Sequence, residues 1–188
     1  MVYRRRAAVL RLDITAAVSS TARDLGPQGH AGHGADHRCE RQAGLFGAIN
    51  LRTAHRVVLI RPRAGAADAQ AFLRELRRRY RTAGTIWLLA DRASAHTAAR
   101  TQMLAAALGI RFLWLPKQAP ELNAMDQLWR ELKRLIAANR QAASVDALAS
   151  DAADWVLVLT PQQARRKAGM ASKHYWLSNL VNDFWPPT

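Results

Sequence analysis

From Gly44 onward, apolar residues fall into short runs whose spacing switches between strand and helix. Residues 45–50 and 55–60 are strand-like, and the polar stretch Leu51-Arg52-Thr53-Ala54 between them predicts an antiparallel hairpin. Residues 66–80 have helical spacing: Phe72, Leu73, Leu76 and Tyr80 share a face, Arg74, Arg77, Arg78 and Arg79 lie elsewhere, and Gly84 closes the element. Residues 85–90 are nearly all apolar, as expected of a strand covered on both faces. A helix over 95–108, ended by Gly109, leads to a strand over 110–115. Pro116 and Pro120 force a loop. Residues 123–139 form a long helix with Met125, Leu128, Leu132, Leu135 and Ile136 on its core side, and 145–159 and 161–168 are further helices. Hairpin, helix, strand, helix, strand, helix is the order of an α/β domain with a mixed sheet whose later strands are parallel and linked by right-handed crossovers.

The first 42 residues differ. Residues 7–12 could make a short strand, but Ser19-Ser20-Thr21 and the glycine-rich stretch 26–34 are turn chemistry. The chain thus divides into an atypical, poorly ordered segment 1–42, a catalytic-type domain 43–142 and a helical extension with a tail, 143–188. In that tail Tyr175, Trp176, Phe184 and Trp185 could pack on the domain or contact a second subunit, and packing is the expectation.

Composition narrows the partner. Of 188 residues 49% are hydrophobic, enough for one buried core. Lys and Arg number 28 against 14 Asp and Glu, a formal charge of +14 that favours a polyanion, nucleic acid first. An Ala- and Arg-rich composition also follows from biased base content, which weakens that inference. The single cysteine, Cys39, excludes an internal disulfide and suits an intracellular, cytoplasmic setting. No apolar run is long enough to span a membrane, and no signal peptide is evident. His30, His33, His37 and Cys39 have zinc-like spacing, but the surrounding glycines supply no frame for a metal site.

Two carboxylates stand out. Asp91 ends the apolar run Ile86-Trp87-Leu88-Leu89-Ala90, where ligands gather in α/β sheets. Asp126, after a 34-residue interval, lies in the first turn of the long helix. A strand-end acid and a helix-start acid can converge on one divalent ion, the arrangement used to cut or join phosphodiesters. Each has a plainer explanation: Asp91 could start a turn with Ser94 as a second cap, and Asp126 could complete a capping box opened by Asn123. Asn123, Asp126, Trp129 and Lys133 share one helix face, which suits an Asn helper and a Lys near phosphate. His96 could orient phosphate or a metal-bound water, or equally be a capping or simply exposed histidine, and Arg92 and Lys117 flank the same edge and could meet DNA phosphates.

These motifs together resemble a known family. Leu88-Leu89-Ala90-Asp91-Arg92-Ala93-Ser94-Ala95-His96 resembles the motif around the second acid of DDE transposases. Residues 114–133, with the Pro116 to Pro120 loop, the Leu122-Asn123 pair and Asp126-Gln127-Leu128-Trp129, resemble the segment that delivers the third. Over 43–178 the chain is similar to insertion-sequence relatives of the Tc/mariner superfamily, although the third acid is Asp where many relatives have Glu. The resemblance implies an RNase H-like fold and a metal-dependent DNA strand cleavage and strand-transfer activity. It implies that Asp91 and Asp126 ligate Mg²⁺ or Mn²⁺, with Asn123 and His96 in support and Arg92, Lys117 and Lys133 on DNA. It also implies transposon-end and target DNA as partners, a possible homodimer and a bacterial, nucleoid-associated location.

The departure is upstream. The family has a first acid, usually Asp-Glu, on the first strand, preceded by a helix-turn-helix region. Here only Asp13 stands at a plausible distance, without its acidic neighbour. Either Asp13 completes the triad, or residues from about 7 to 42 are the first-strand region read in a shifted frame, leaving an N-terminally incomplete copy. Ala16-Ala17-Val18, Leu25-Gly26-Pro27 and Gly34-Ala35-Asp36 fit the second idea, as does the return of family-like sequence at Ala43. A non-enzymatic basic nucleic-acid-binding module on the same fold is the other alternative.

Overall fold

Asn50 closes the first hairpin: its side-chain oxygen accepts the amides of Arg52 and Thr53 at 2.9 and 3.0 Å, and Ala54 turns the chain back in a left-handed conformation (φ 58°). The computed structural model describes residues 12–21, 43–138 and 144–177. Its five strands are β1 (Leu12–Thr21), β2 (Gly44–Asn50), β3 (Arg56–Arg61), β4 (Thr85–Ala90) and β5 (Ile110–Trp114). They form one sheet in the order β3-β2-β1-β4-β5. The hairpin β2–β3 and the pair β1–β2 are antiparallel, while β1–β4 and β4–β5 are parallel.

The hairpin and the parallel strands match expectation; the strand that joins them, expected over 7–12, is described over Leu12–Thr21. The strand expected over 7–12 lies outside the described residues except for Leu12, where β1 begins. Ser19, Ser20 and Thr21, expected as turn, pair with Gly47, Phe46 and Leu45 of β2. Short polar side chains favour turns only when no neighbouring ladder claims their backbone, and here β2 claims it.

Helices cover both faces. On one side lie α1 (Ala66–Arg79), α2 (Ser94–Thr97) and α3 (Ala99–Ala107), whose Phe72, Leu73, Leu76 and Ala105 pack with Phe46, Ile86, Leu88 and Ile110. On the other lie α4 (Ala124–Ala138), α5 (Val145–Val158) and α6 (Pro161–Lys167), which share a core with Leu45, Ile49 and Leu89. β4 contributes to both cores, which accounts for its unbroken apolar run.

Helix bounds and one core position differ from expectation. α1 stops at Arg79, one residue short of the expected 80, and past its end the Arg77 guanidinium donates to the carbonyls of Tyr80, Ala83 (2.6 Å) and Gly84 (3.1 Å). The helix expected over 95–108 breaks at Ala98 (φ −55°, ψ 132°), where Gln102 donates to the His96 carbonyl at 2.5 Å. Leu135, expected in the core, is 41% exposed, and the side chain of Ile136 lies outside the described residues. Gly109 does follow α3 in a left-handed conformation (φ 67°), as a helix-terminating glycine should. Among the described residues no helix is long and apolar enough to cross a membrane.

Candidate active site

Ala90 is the last residue of β4 and pairs with Val18 of β1 and Trp114 of β5. The ladder continues one bond further, from the Leu115 amide to the Ala90 carbonyl at 2.9 Å. Asp91 therefore leaves the sheet at its carboxyl edge, beside the loop that follows β5. Its Oδ1 accepts from the Ala93 amide at 3.3 Å and from His96 Nδ1 at 2.9 Å. The acid is half exposed (51% of its side chain) whereas His96 is 3% exposed. One carboxylate oxygen is thus tied back into the protein while the group still reaches solvent. The hydrogen bond from His96 is the largest cause holding the Asp91 carboxyl below its ordinary value of 3.8; burial acts the other way, and the ring's charge and the Ala93 amide add to the lowering.

The sequence leaves His96 beside phosphate or water, or as a capping or exposed histidine; the structure buries it instead. Its ring is buried behind Asp91, tilted against Phe112 with centroids 6.2 Å apart. Among the described residues Nε2 has no hydrogen-bond partner. Any influence of His96 on a ligand runs through Asp91. The break in the helix at Ala98 belongs to the same arrangement, since Ala95 and His96 turn inward on the short α2. Ala93, not Ser94, stands at the N-cap of α2, which has no side-chain capping bond among the described residues.

The second carboxylate is delivered by α4. Asn123 is fully buried and precedes the helix; its Oδ1 accepts the Met125 amide at 3.0 Å. The cap was foreseen, but burial and this bond keep Asn123 out of the cleft. Asp126 sits in the first turn, where its charge also suits the helix dipole. Met125, Leu128, Trp129 and Leu132 are buried against the sheet, so the face shared by Asn123, Asp126, Trp129 and Lys133 is partly core. The turn Pro120–Leu122 before the helix is held from two sides: Gln127 donates to the Glu121 carbonyl at 3.1 Å and Trp176 Nε1 to the Leu122 carbonyl at 3.0 Å.

Both acids line one cleft of about 390 Å³, with Arg92, Lys117, Gln118 and Pro120 among its walls. Arg92 and Lys117 are exposed there, and Gln118 adopts a left-handed backbone (φ 57°) that bends the loop around the opening. Lys133, Asn123 and His96 do not line it. The sequence assigns no role at the site to Gln118, which lines the cleft from within the Pro116 to Pro120 loop, or to Trp176, which holds the turn before α4.

Asp13 does not join this cleft. In the parallel ladder Leu12 stands beside Thr85 and Val18 beside Ala90, with a bulge at Asp13. Five residues of strand, about 16 Å, separate position 13 from position 18. The acid lies at the wrong end of β1, so the idea that it completes a triad fails on register. Among the described residues no group of three His, Cys, Asp or Glu is placed to hold a metal. The candidate ligands His30, His33, His37 and Cys39 fall outside those residues, as do Phe184 and Trp185. Of the remaining tail aromatics, Tyr175 packs on the core and Trp176 is 41% exposed.

Comparison with known proteins bears on this geometry. A family model described as DDE superfamily endonuclease matches residues 22–149, more than half of the chain. No curated protein matches by sequence. Among solved structures, the chain is similar to the Mos1 transposase paired-end complex with left transposon end (TM-score 0.63, 16% identity, 88% of this chain and 54% of that one). It is also similar to the catalytic domain of Mos1 mariner transposase (TM-score 0.63, 14% identity, 97% of this chain and 86% of that one). The same domain with Raltegravir and Mn matches at TM-score 0.63 and 14% identity, over 88% of this chain and 80% of that one. The fold is therefore RNase H-like, as expected, and the chain spans about half the length of the transposase in the paired-end complex.

Proposed function

This chain belongs to the DDE superfamily endonuclease family, and from that premise we propose that it is the catalytic portion of a transposase that cleaves and joins DNA strands in transposition. The observation that carries the reading is the convergence of Asp91 and Asp126 on one cleft from two separate elements. Two carboxylates suit a divalent ion that completes its shell with water and phosphate oxygens, the usual habit of Mg²⁺. We assign Asp91 and Asp126 as its ligands, and when bound such an ion supplies an activated water or 3′-hydroxyl and neutralises charge on the phosphate. Mg²⁺ and Mn²⁺ are both candidates; the related Mos1 catalytic domain has structures with Mn and with Mg. In this reading His96 fixes Asp91, Asn123 fixes the start of α4, and Arg92 and Lys117 hold the DNA backbone at the cleft mouth, with Lys133 further along the helix. Transposon-end DNA, present in the Mos1 paired-end complex, is the proposed partner, and a homodimer on the bacterial nucleoid the proposed setting.

Purified protein with Mn²⁺ and supercoiled plasmid tests this. Nicking that disappears in both Asp91→Asn and Asp126→Asn supports the reading; nicking that persists in both refutes it.

A second reading has an observation of its own. β1 presents Val18, not an acid, beside Ala90. A chain with two acids of three could act as a basic DNA-binding module without cleavage. It predicts tight, salt-sensitive DNA binding with no nicking, and DNA and Mn²⁺ affinities that both Asn variants leave unchanged.

The same register motivates the proposal that the upstream segment is out of frame in an insertion-sequence copy. The family match, which begins at residue 22, counts against a shift extending to residue 42. The gene's nucleotide sequence decides: a single-base shift that recovers an Asp-Glu strand supports it, and none doing so ends it.

A further inference from the structure

The geometry points to Gly47 as a positioning residue that sets the height of α4 above the sheet and with it the place of Asp126; this rests on the reading of Asp91 and Asp126 as a metal-binding pair. Gly47 is in the middle of β2, paired with Ser19 of β1 and Val58 of β3. Its neighbours two residues away, Leu45 and Ile49, belong to the core beneath α4, so position 47 faces the same helix. A Cβ built there would lie 2.5 Å from Met125 Cε and 2.6 Å from Trp129 Cζ2. Those two residues are one helical turn apart on the face that α4 lays on the sheet, and Asp126 follows Met125 directly.

The two contacts are unequal. The methionine terminus can rotate away, because it ends a flexible chain. The Trp129 ring is rigid and 3% exposed, so it has nowhere to go without the helix. Restoring ordinary carbon–carbon contact requires a shift of about 1 Å. A helix transmits such a shift to every residue it carries. Metal–oxygen distances tolerate only about 0.2 Å, so lifting α4 separates Asp126 from an ion that Asp91 still holds. A glycine inside a strand ordinarily weakens it; here the missing side chain lets α4 approach.

The test is a double-mutant cycle read by titration with Mn²⁺ alone, with circular dichroism and thermal melting as folding controls. Gly47→Ala is expected to stay folded and bind Mn²⁺ at least about ten-fold more weakly, and Gly47→Ala with Trp129→Phe to recover most of that loss, since the smaller ring removes the clash. Unchanged affinity in folded Gly47→Ala, or an equal loss with Phe at 129, overturns the proposal. If Gly47→Ala alone does not fold, the double variant is compared with Trp129→Phe: similar or tighter Mn²⁺ binding is expected, and a ten-fold loss overturns it. If the wild-type protein binds no Mn²⁺, the metal-ligand reading fails by itself. Crystal structures of the wild type and the Gly47→Ala variant, or of the double variant and Trp129→Phe should Gly47→Ala not fold, then decide. A wider Asp91–Asp126 separation in Gly47→Ala, or an unchanged one in the double variant, is expected; the opposite result in either pair removes the positioning role.

Discussion

His96 Nδ1 lies 2.9 Å from Asp91 Oδ1, and the histidine is buried while the aspartate is half exposed. The bond holds Asp91 ionised and oriented from behind. In His96→Gln the missing hydrogen bond should weaken Mn²⁺ binding roughly ten-fold, the scale of a hydrogen bond to a charged group. Because Asp91 is depressed in the folded state, its contribution to stability is present above its ordinary value of 3.8 and is lost as pH falls through the lower folded value. Replacing His96 removes the main cause of the depression, so that loss should shrink, visible as a shallower acid limb of a melting-temperature profile.

Asp13→Ala should leave Mn²⁺ affinity and any plasmid nicking unchanged. The register of β1 against β4 puts position 13 beside the start of β4, away from Asp91. Loss of nicking with the fold intact would contradict the register.

Asn123→Ala should cost about 1–2 kcal/mol, read as a fall in melting temperature, because a buried helix start loses its cap. Frayed first-turn geometry should also weaken Mn²⁺ binding through Asp126. A fall in stability with unchanged metal affinity would separate the cap from the site.

Arg92→Ala and Lys117→Ala should each weaken DNA binding to a similar degree for unrelated sequences. The slope of log affinity against log salt should drop by about one unit for each phosphate the variant no longer neutralises. An unchanged slope would place the DNA elsewhere on this basic chain.

Burial pushes the Tyr175 hydroxyl up to about 12, and among the described residues its oxygen has no hydrogen-bond partner. The neutral phenol is favoured in the fold, so the corresponding stability is present below 10 and lost as pH rises toward 12. Alkaline melting curves should show that loss, on the order of 2–3 kcal/mol, and Tyr175→Phe should abolish it while leaving neutral-pH stability equal or higher.

The legible parts of this molecule are those whose signal is local. β4 was readable because both its faces are buried, and α4 because a capping Asn precedes a clean amphipathic run. Asp91 and Asp126 stood out because they punctuate those elements. β1 was not legible: its Ala16, Ala17 and Val18 are small, its Ser19 to Thr21 read as turn, and its strand state comes from pairing with β2 and β4. His96 stands out by its nearness to Asp91, but its burial follows from the short α2 and the chain break at Ala98, which carry no sequence signal. Gly47 carried a faint signal, a glycine inside a strand pattern, whose meaning depended on a helix nearly eighty residues later.

The indole of Trp176 grips the carbonyl of Leu122, and Leu177 beside it is buried in the core under α4. During synthesis, then, the turn that presents Asp126 has only its bond from Gln127 until residues 176 and 177 have emerged from the ribosome. A nascent chain already displaying both acids therefore still lacks one of the two bonds that fix the turn before the second.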